Sequence, residues 1–277
     1  MRGWKSPIRR AMAAGAGAAV LVLSGAAAAG PRVVSLDQCA DQFVLALAPR
    51  GDIAGLSYRA RQPDSYLRAA AYGLPLRRAD LESVLAVRPA VVVHEWGGDA
   101  QMVRRLASLG VTVVGIDDAA DFDGVRANIR RVAAALWRGP QGEALIAGMD
   151  AKLAAARGAG RGRRLLYLTS GGFTAGRGTL VAAMMRAAGY ANAASAPGFQ
   201  PVSLERLALN PPDAVALGFF DPASVRTQHW SLASSPVLNR TLRGRVVASL
   251  PGDILGCPAW FAADGAQRLA NAVRADR

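Results

Sequence analysis

Apolar residues along this chain come in short bursts of strand length, separated by stretches of helical periodicity. Residues 33–36 form the first burst. Residues 41–48 follow with Phe43, Val44 and Leu47 on one helical face, and residues 53–56 are a second burst. Residues 81–86 read as a helix stopped near Pro89, and 90–94 as a strand. Residues 101–109 are a helix ended by Gly110, and 111–116 are another strand. Alternation of this kind predicts a mostly parallel sheet covered by helices.

The rhythm then changes. Phe122, Val125, Ile129, Val132 and Leu136 recur at three- and four-residue steps, which is one face of a helix. Gly139-Pro140 interrupts it. Residues 141–157 continue without proline, carrying Leu145, Ile146, Met149 and Leu153 on one side. Such a helix is roughly 25 Å long at about 1.5 Å per residue, long enough to bridge two small lobes as a strut. After Gly158 and Gly162 the first rhythm returns: strands at 165–168, 214–217 and 246–249, helices at 179–188, 204–209 and 262–273. The predicted fold class is α/β, with two similar lobes of mostly parallel sheet joined by one long rigid helix. The expected boundaries are a signal at 1–29, a first lobe at 30–118, a helical connector at 119–162 and a second lobe at 163–277.

The two lobes repeat one another. Leu81-Glu82-Ser83-Val84-Leu85 leads to Pro89 and then Val91-Val92-Val93. Leu204-Glu205-Arg206-Leu207-Ala208 leads to Pro212 and then Ala214-Val215-Ala216-Leu217. The copies align without a gap at an offset of 123 residues. Each reads as an acidic-headed helix, a proline stop and a buried strand. Arg32-Val33-Val34-Ser35-Leu36 and Arg164-Leu165-Leu166-Tyr167-Leu168 are a second echo upstream. Two similar lobes suggest a ligand held between them.

The chain begins with Arg2, Lys5, Arg9 and Arg10, then a weakly apolar Ala/Gly-rich run, then Ala27-Ala28-Ala29. This is the order of a cleavable export signal, so cleavage is expected near Ala29 and the mature protein in the periplasm. The apolar run is too short and too weakly hydrophobic for a membrane span. Losing four basic and no acidic residues takes the net charge from +13 to +9. An excess of this size can attract nucleic acid, anionic lipid or an anionic small ligand, and a general arginine-rich bias accounts for it equally well. No basic block is interleaved with aromatics, and export also argues against nucleic acid. Cys39 and Cys257 are the only cysteines, too few for a disulfide scaffold. In an oxidising compartment they are a bridge between the lobes, two thiols beside the cleft, or simply buried.

The order of these features resembles the periplasmic substrate-binding proteins for cobalamin and ferric siderophores, which serve ATP-binding-cassette (ABC) importers. The resemblance is carried by Arg32 to Leu36, Cys39-Ala40-Asp41-Gln42, Ile53-Ala54-Gly55-Leu56-Ser57-Tyr58, the two Leu-Glu helices, Gly97-Gly98, Leu109-Gly110 and Phe173-Thr174-Ala175-Gly176. It covers nearly all of the mature chain. It implies a monomer that captures a metal chelate in a shallow cleft and hands it to a permease and ATPase complex. It also implies that Glu82 and Glu205, one on each lobe, meet arginines of that permease. Two negative points at fixed separation would orient the docked protein. Each glutamate also favours the dipole of its own helix.

Ligands of open α/β sheets sit at the C-terminal ends of the strands. The ligand-binding residues expected there are Tyr58, Trp96, Phe173, Arg177, Trp230 and Trp260. Tyr58 stands where cobalamin binders of the resembled family carry a contacting tyrosine. Trp230 and Trp260 fit core packing equally well. Phe219 and Glu95 border the same region. His94 and His229 are the only histidines, and no His/Cys/Asp cluster has zinc spacing. No metal site and no cofactor is expected. Gly171 to Thr179 lacks the Gly-Lys of a phosphate loop, and no Gly-x-Ser-x-Gly elbow occurs. A solute-binding protein is therefore expected rather than an enzyme. The alternatives are an exported α/β enzyme acting on a small anionic substrate and a receptor that presents its ligand to a sensor. Corrinoid, ferric siderophore and haem all stay open as ligands.

Overall fold

The computed structural model describes Met1, residues 30–219, Arg240 and residues 242–275. The first sheet has five parallel strands in the order β3-β2-β1-β4-β5: β1 Val33–Ser35, β2 Ile53–Ser57, β3 Leu76–Arg77, β4 Val91–His94 and β5 Thr112–Gly115. The second sheet contains β6 Arg164–Thr169, β8 Ala191–Asn192, β10 Ala214–Gly218 and β11 Val246–Leu250, parallel in the order β11-β10-β6-β8. A small antiparallel pair, β7 Phe173–Ala175 with β9 Phe199–Pro201, adjoins β6.

Strand residues alternate between two apolar environments, which is why the strands read as unbroken hydrophobic runs. Val33, Val91 and Val93 face one core, and so do Leu165, Tyr167, Ala214 and Ala216 of the second sheet. Their neighbours face outward into two satellite clusters. Val34 and Val92 join helix α2 (Leu81–Leu85) and α3 (Ala100–Ser108) in one. Leu166, Leu168 and Val215 join α7 (Leu204–Leu209) in the other.

Helices α4 (Phe122–Ala135) and α5 (Gly139–Ala156) connect the sheets. Helix α5 packs against α4 and against the closing helix Ala262–Ala275. Arg126–Asp150 and Arg130–Glu143 ion pairs tie α4 to α5, and Lys152–Asp264 ties α5 to the closing helix. At 18 residues α5 is about 27 Å long. It begins at Gly139 rather than 141 because a proline is accepted in a first helical turn. Helix α1 (Gln38–Leu47) likewise starts early, because Asp37 caps it by accepting from the Ala40 N–H at 2.9 Å. α6 (Leu180–Ala187) covers the second sheet.

Candidate functional site

The strand orders place a switch point in each sheet, where successive connections leave in opposite directions. It lies between β1 and β4 in the first lobe and between β6 and β10 in the second. The C-terminal ends of the two sheets meet. Cys39, in the first turn of the helix that follows β1, is disulfide-bonded to Cys257, beyond the short helix Gly252–Leu255 that follows β11, with the two Cα atoms 5.4 Å apart. The sequence left bridge and thiols open, and the fold brings both buried cysteines to this junction. Around it, Arg68 pairs with Asp253, and the Tyr66 hydroxyl donates to Asp264 at 2.5 Å.

Two buried carboxylates shape the first lobe's edge. Asp37 caps α1 and also accepts from the backbone N–H groups of Glu95 at 2.6 Å and Gly97 at 2.9 Å. It laces the loop after β4 to the loop after β1. Gly97 sits so close to β1's end that a Cβ there would lie 2.5 Å from the Leu36 carbonyl oxygen. Trp96, between the two tethered amides, points outward and is 58% exposed. Asp41 accepts from the hydroxyl of Ser35, and from the Ser57 N–H at 2.8 Å and hydroxyl at 2.6 Å. This joins the ends of β1 and β2 and sets Tyr58, 64% exposed, just beyond Ser57. Burial lifts Asp41 to about 6 against the opposing pull of those hydrogen bonds. Burial, with the negative charges of Asp37 and Asp118, lifts Glu95 to about 7.

In the second lobe the turn after β6 is closed by Thr169. Its carbonyl accepts from Gly172 N–H at 2.9 Å and its hydroxyl from Phe173 N–H at 3.0 Å. Phe173 starts β7 with an exposed ring. Arg177 is exposed in the loop before α6, its Nε donating to the Ser195 carbonyl at 2.8 Å. At the end of β10, Phe219 is 47% exposed and holds a left-handed backbone with φ 55°.

The structure corrects one candidate. Trp260 is only 7% exposed, its ring edge-on to Phe43 at 5.4 Å and to Phe261 at 5.3 Å. Its apolar face is spent on the core joining the lobes, so it offers no platform to a ligand. Trp230 and His229 lie outside the described residues. His94 ends β4, partly buried and paired in register with Gly115. Asp37, Cys39 and Glu95 bring ligand-type atoms within 4.8 Å of one another. Three N–H groups occupy Asp37 and the disulfide occupies Cys39, which accounts for that cluster without an ion.

Glu82 and Glu205 occupy the same place in their helices. α2 is capped by Asp80 accepting from Ser83 N–H, and α7 by Ser203 accepting from Arg206 N–H. Each glutamate is the second helical residue, exposed, and in no ion pair among the described residues. A surface groove of about 680 Å³ runs beside α2 and α3, lined by Asp80, Leu81, Met102 and Arg105. Another of about 390 Å³ runs beside α7, lined by Ser203, Arg206 and Leu209. Each groove lies beside the short outer helix of its lobe.

A family model described as periplasmic binding protein matches residues 33–218. Among solved structures, the chain is similar to the periplasmic heme-binding protein BhuT in complex with two hemes. Identity is 27%, coverage is 88% of this chain and 99% of that one, and the TM-score is 0.68. It is similar to the periplasmic heme-binding protein RhuT from Roseiflexus sp. RS-1 in apo form at 26% identity, over 88% and 97% of the two chains, with a TM-score of 0.65. The heme-binding HutB of Vibrio cholerae shares the fold at 20% identity, over 87% and 98% of the chains, with a TM-score of 0.70. Among curated proteins no sequence matches significantly. With more than half of its length matched by that model, the chain belongs to the periplasmic binding protein family.

Proposed function

We propose that this protein is the solute-binding component of an ABC importer and holds a flat metal chelate, of the haem class first, between its lobes. It returns that ligand unchanged to a permease and ATPase complex. Residues 30–118 and 163–277 are the lobes, and 119–162 the connector. One observation carries the reading. Exposed aromatic rings, Tyr58 and Trp96 on one side and Phe173 and Phe219 on the other, rim the strand ends of both lobes. Large exposed apolar rings on a soluble scaffold mark a binding site, and conjugated macrocycles stack on them. Haem ranks before corrinoid and ferric siderophore because BhuT and RhuT, both similar to this chain at more than a quarter identity, are heme-binding proteins. Arg177 and the mature charge of +9 suit the carboxylates of such a ligand.

Export fits residues at the start of the described chain. Gly30 N–H donates to Asp52 at 2.9 Å, and Asp52 also pairs with Arg138. A Cβ on Gly30 would lie 2.5 Å from that carboxylate. Cleavage of a 1–29 signal would turn this amide into an ammonium already beside its counter-ion. Glu82 and Glu205, on outer helices with a groove beside each, are the permease contacts in this reading, and the protein acts as a monomer.

The experiment is titration of the purified mature protein with haemin, cyanocobalamin and a ferric siderophore panel, with recovery of the ligand afterwards. A single saturable site for one of these, and an unmodified ligand, is expected. Indifference to all three classes overturns the reading.

A further inference from the structure

The offset of 123 residues does not stop at the strands. It aligns Glu82 with Glu205 and Val91 with Ala214, and the pairing of each strand with its lobe's first strand repeats too, although that first strand recurs at an offset of 132. Val33 pairs with Val91 in the first sheet as Leu165 pairs with Ala214 in the second. Carried past the strand ends, the same offset aligns Trp96 with Phe219. Each is a large aromatic residue in the first turn after the strand that flanks its lobe's switch point. Both are about half exposed.

Neither exposure is incidental to the backbone. Trp96 is held outward by the amides on either side of it, both bonded to the buried Asp37. Phe219 is held outward by its left-handed φ of 55°. The other non-glycine residues with positive φ among those described are Arg88, Trp137 and Arg161, which lie in turns that follow helices. Phe219 follows a strand. A bulky side chain in that region is strained, and backbone strain of this kind concentrates at ligand clamps and active sites. The two loops belong to edges that meet. A Cβ on Gly252 would lie 3.5 Å from the Phe219 ring and 3.7 Å from Asp64 of the first lobe, and the disulfide joins the same two edges.

We infer that Trp96 and Phe219 form a two-sided aromatic clamp that selects flat conjugated chelates over compact ones. The inference rests on the solute-binding reading and adds to it the residue pair that sets ligand shape. Stacking from both lobes favours a ligand with two parallel faces. A globular hexadentate complex presents no such pair of faces and gains little from it.

The test uses haemin, cyanocobalamin and ferrichrome as probes on the parent, Trp96→Ala, Phe219→Ala, the double variant, Trp96→Phe and Phe219→Gly. For the planar ligand the parent binds, each alanine variant is expected to weaken affinity about tenfold, which is about 1.4 kcal/mol. The double variant weakens it further still, while Trp96→Phe stays close to the parent. Phe219→Gly should match Phe219→Ala in affinity but melt no lower than the parent, because glycine accepts the positive φ. A purely structural role would lower its melting temperature and leave binding alone. Trp96 is largely exposed, so its alanine variant is expected to fold, and Phe219→Gly removes the ring without strain and stands in for Phe219→Ala if that variant does not fold. Parent-like affinity in either single alanine variant or in Phe219→Gly overturns the clamp and leaves the solute-binding reading standing. So does a parent that binds ferrichrome and neither macrocycle. A parent that binds none of the probes removes both.

Discussion

Val84 and Leu207, 123 residues apart, are each the one buried residue of a short outer helix, and each closes the satellite cluster of its own sheet. The helices are too short to be stable alone, so these single anchors hold them down. Leu207→Ala is expected to cost about 2–3 kcal/mol, the low end for a buried leucine, because the cluster beneath it is small. Urea unfolding of the variant against the parent measures it. A loss below about 0.5 kcal/mol would mean that α7 is held by its loop instead.

Those anchors fix where Glu82 and Glu205 point. Replacing both with alanine should leave ligand affinity unchanged and impair uptake, more than either replacement alone. Each should cost only about 0.3–1 kcal/mol of stability, from the lost dipole contact of an exposed helix start. The docking they provide should weaken with salt, since exposed charges are screened over roughly 8–10 Å. Uptake by a strain carrying the double variant, beside titration of the purified protein, decides it. Normal transport would reduce the repeated glutamate to a shared helix cap.

Glu95 makes stability depend on pH. Its folded pKa of about 7 lies above the ordinary 4.5, so its proton is held more tightly in the folded state. The contribution is fully present below about 4.5 and is lost as pH rises through about 7. Asp41 acts in the same direction between 3.8 and about 6. Glu95→Gln removes only the first effect. The variant's melting temperature should therefore gain on the parent's between about pH 4 and pH 8. A difference that stays constant across this range would show that Glu95 titrates as it does in solution.

The disulfide closes a loop of 218 residues. Cys39→Ser with Cys257→Ser should lower stability by about 2–5 kcal/mol. Both sulfurs are buried, so mild reductant should act on the native protein slowly and on the unfolded chain at once. Thiol trapping in native buffer and in urea distinguishes these. Equal trapping rates would mean that the edge opens freely.

Much of this was legible because it is periodic. The strands at 53–56, 90–94, 165–168 and 214–217 and the α4 stripe from Phe122 to Leu136 appear within a residue or two of where apolar spacing puts them. Two-residue edge strands such as β3 and β8 carry no period to read. The β7–β9 pair joins segments separated by 23 residues, so its partner is not a neighbour in sequence. Asp37 and Asp41 are polar residues buried by their own hydrogen bonds, a cost that composition cannot foresee. Tyr58, Trp96 and Phe173 lie exposed beside strand ends. Trp260 carries the same signal, yet tertiary packing claims it for the core. Phe219 was placed beside the same region, and extending the repeat two residues beyond its last apolar position pairs it with Trp96.

The bond between Cys39 and Cys257 also sets an order of events in folding. Cys39 is made early, and its partner follows 218 residues later, so the bond must wait for nearly the whole chain. With only two cysteines in the chain, no wrong pairing within one molecule exists to be undone. Maturation therefore calls for an oxidant and not for an isomerase, and the last step sealing the two lobes together comes after both sheets have already emerged.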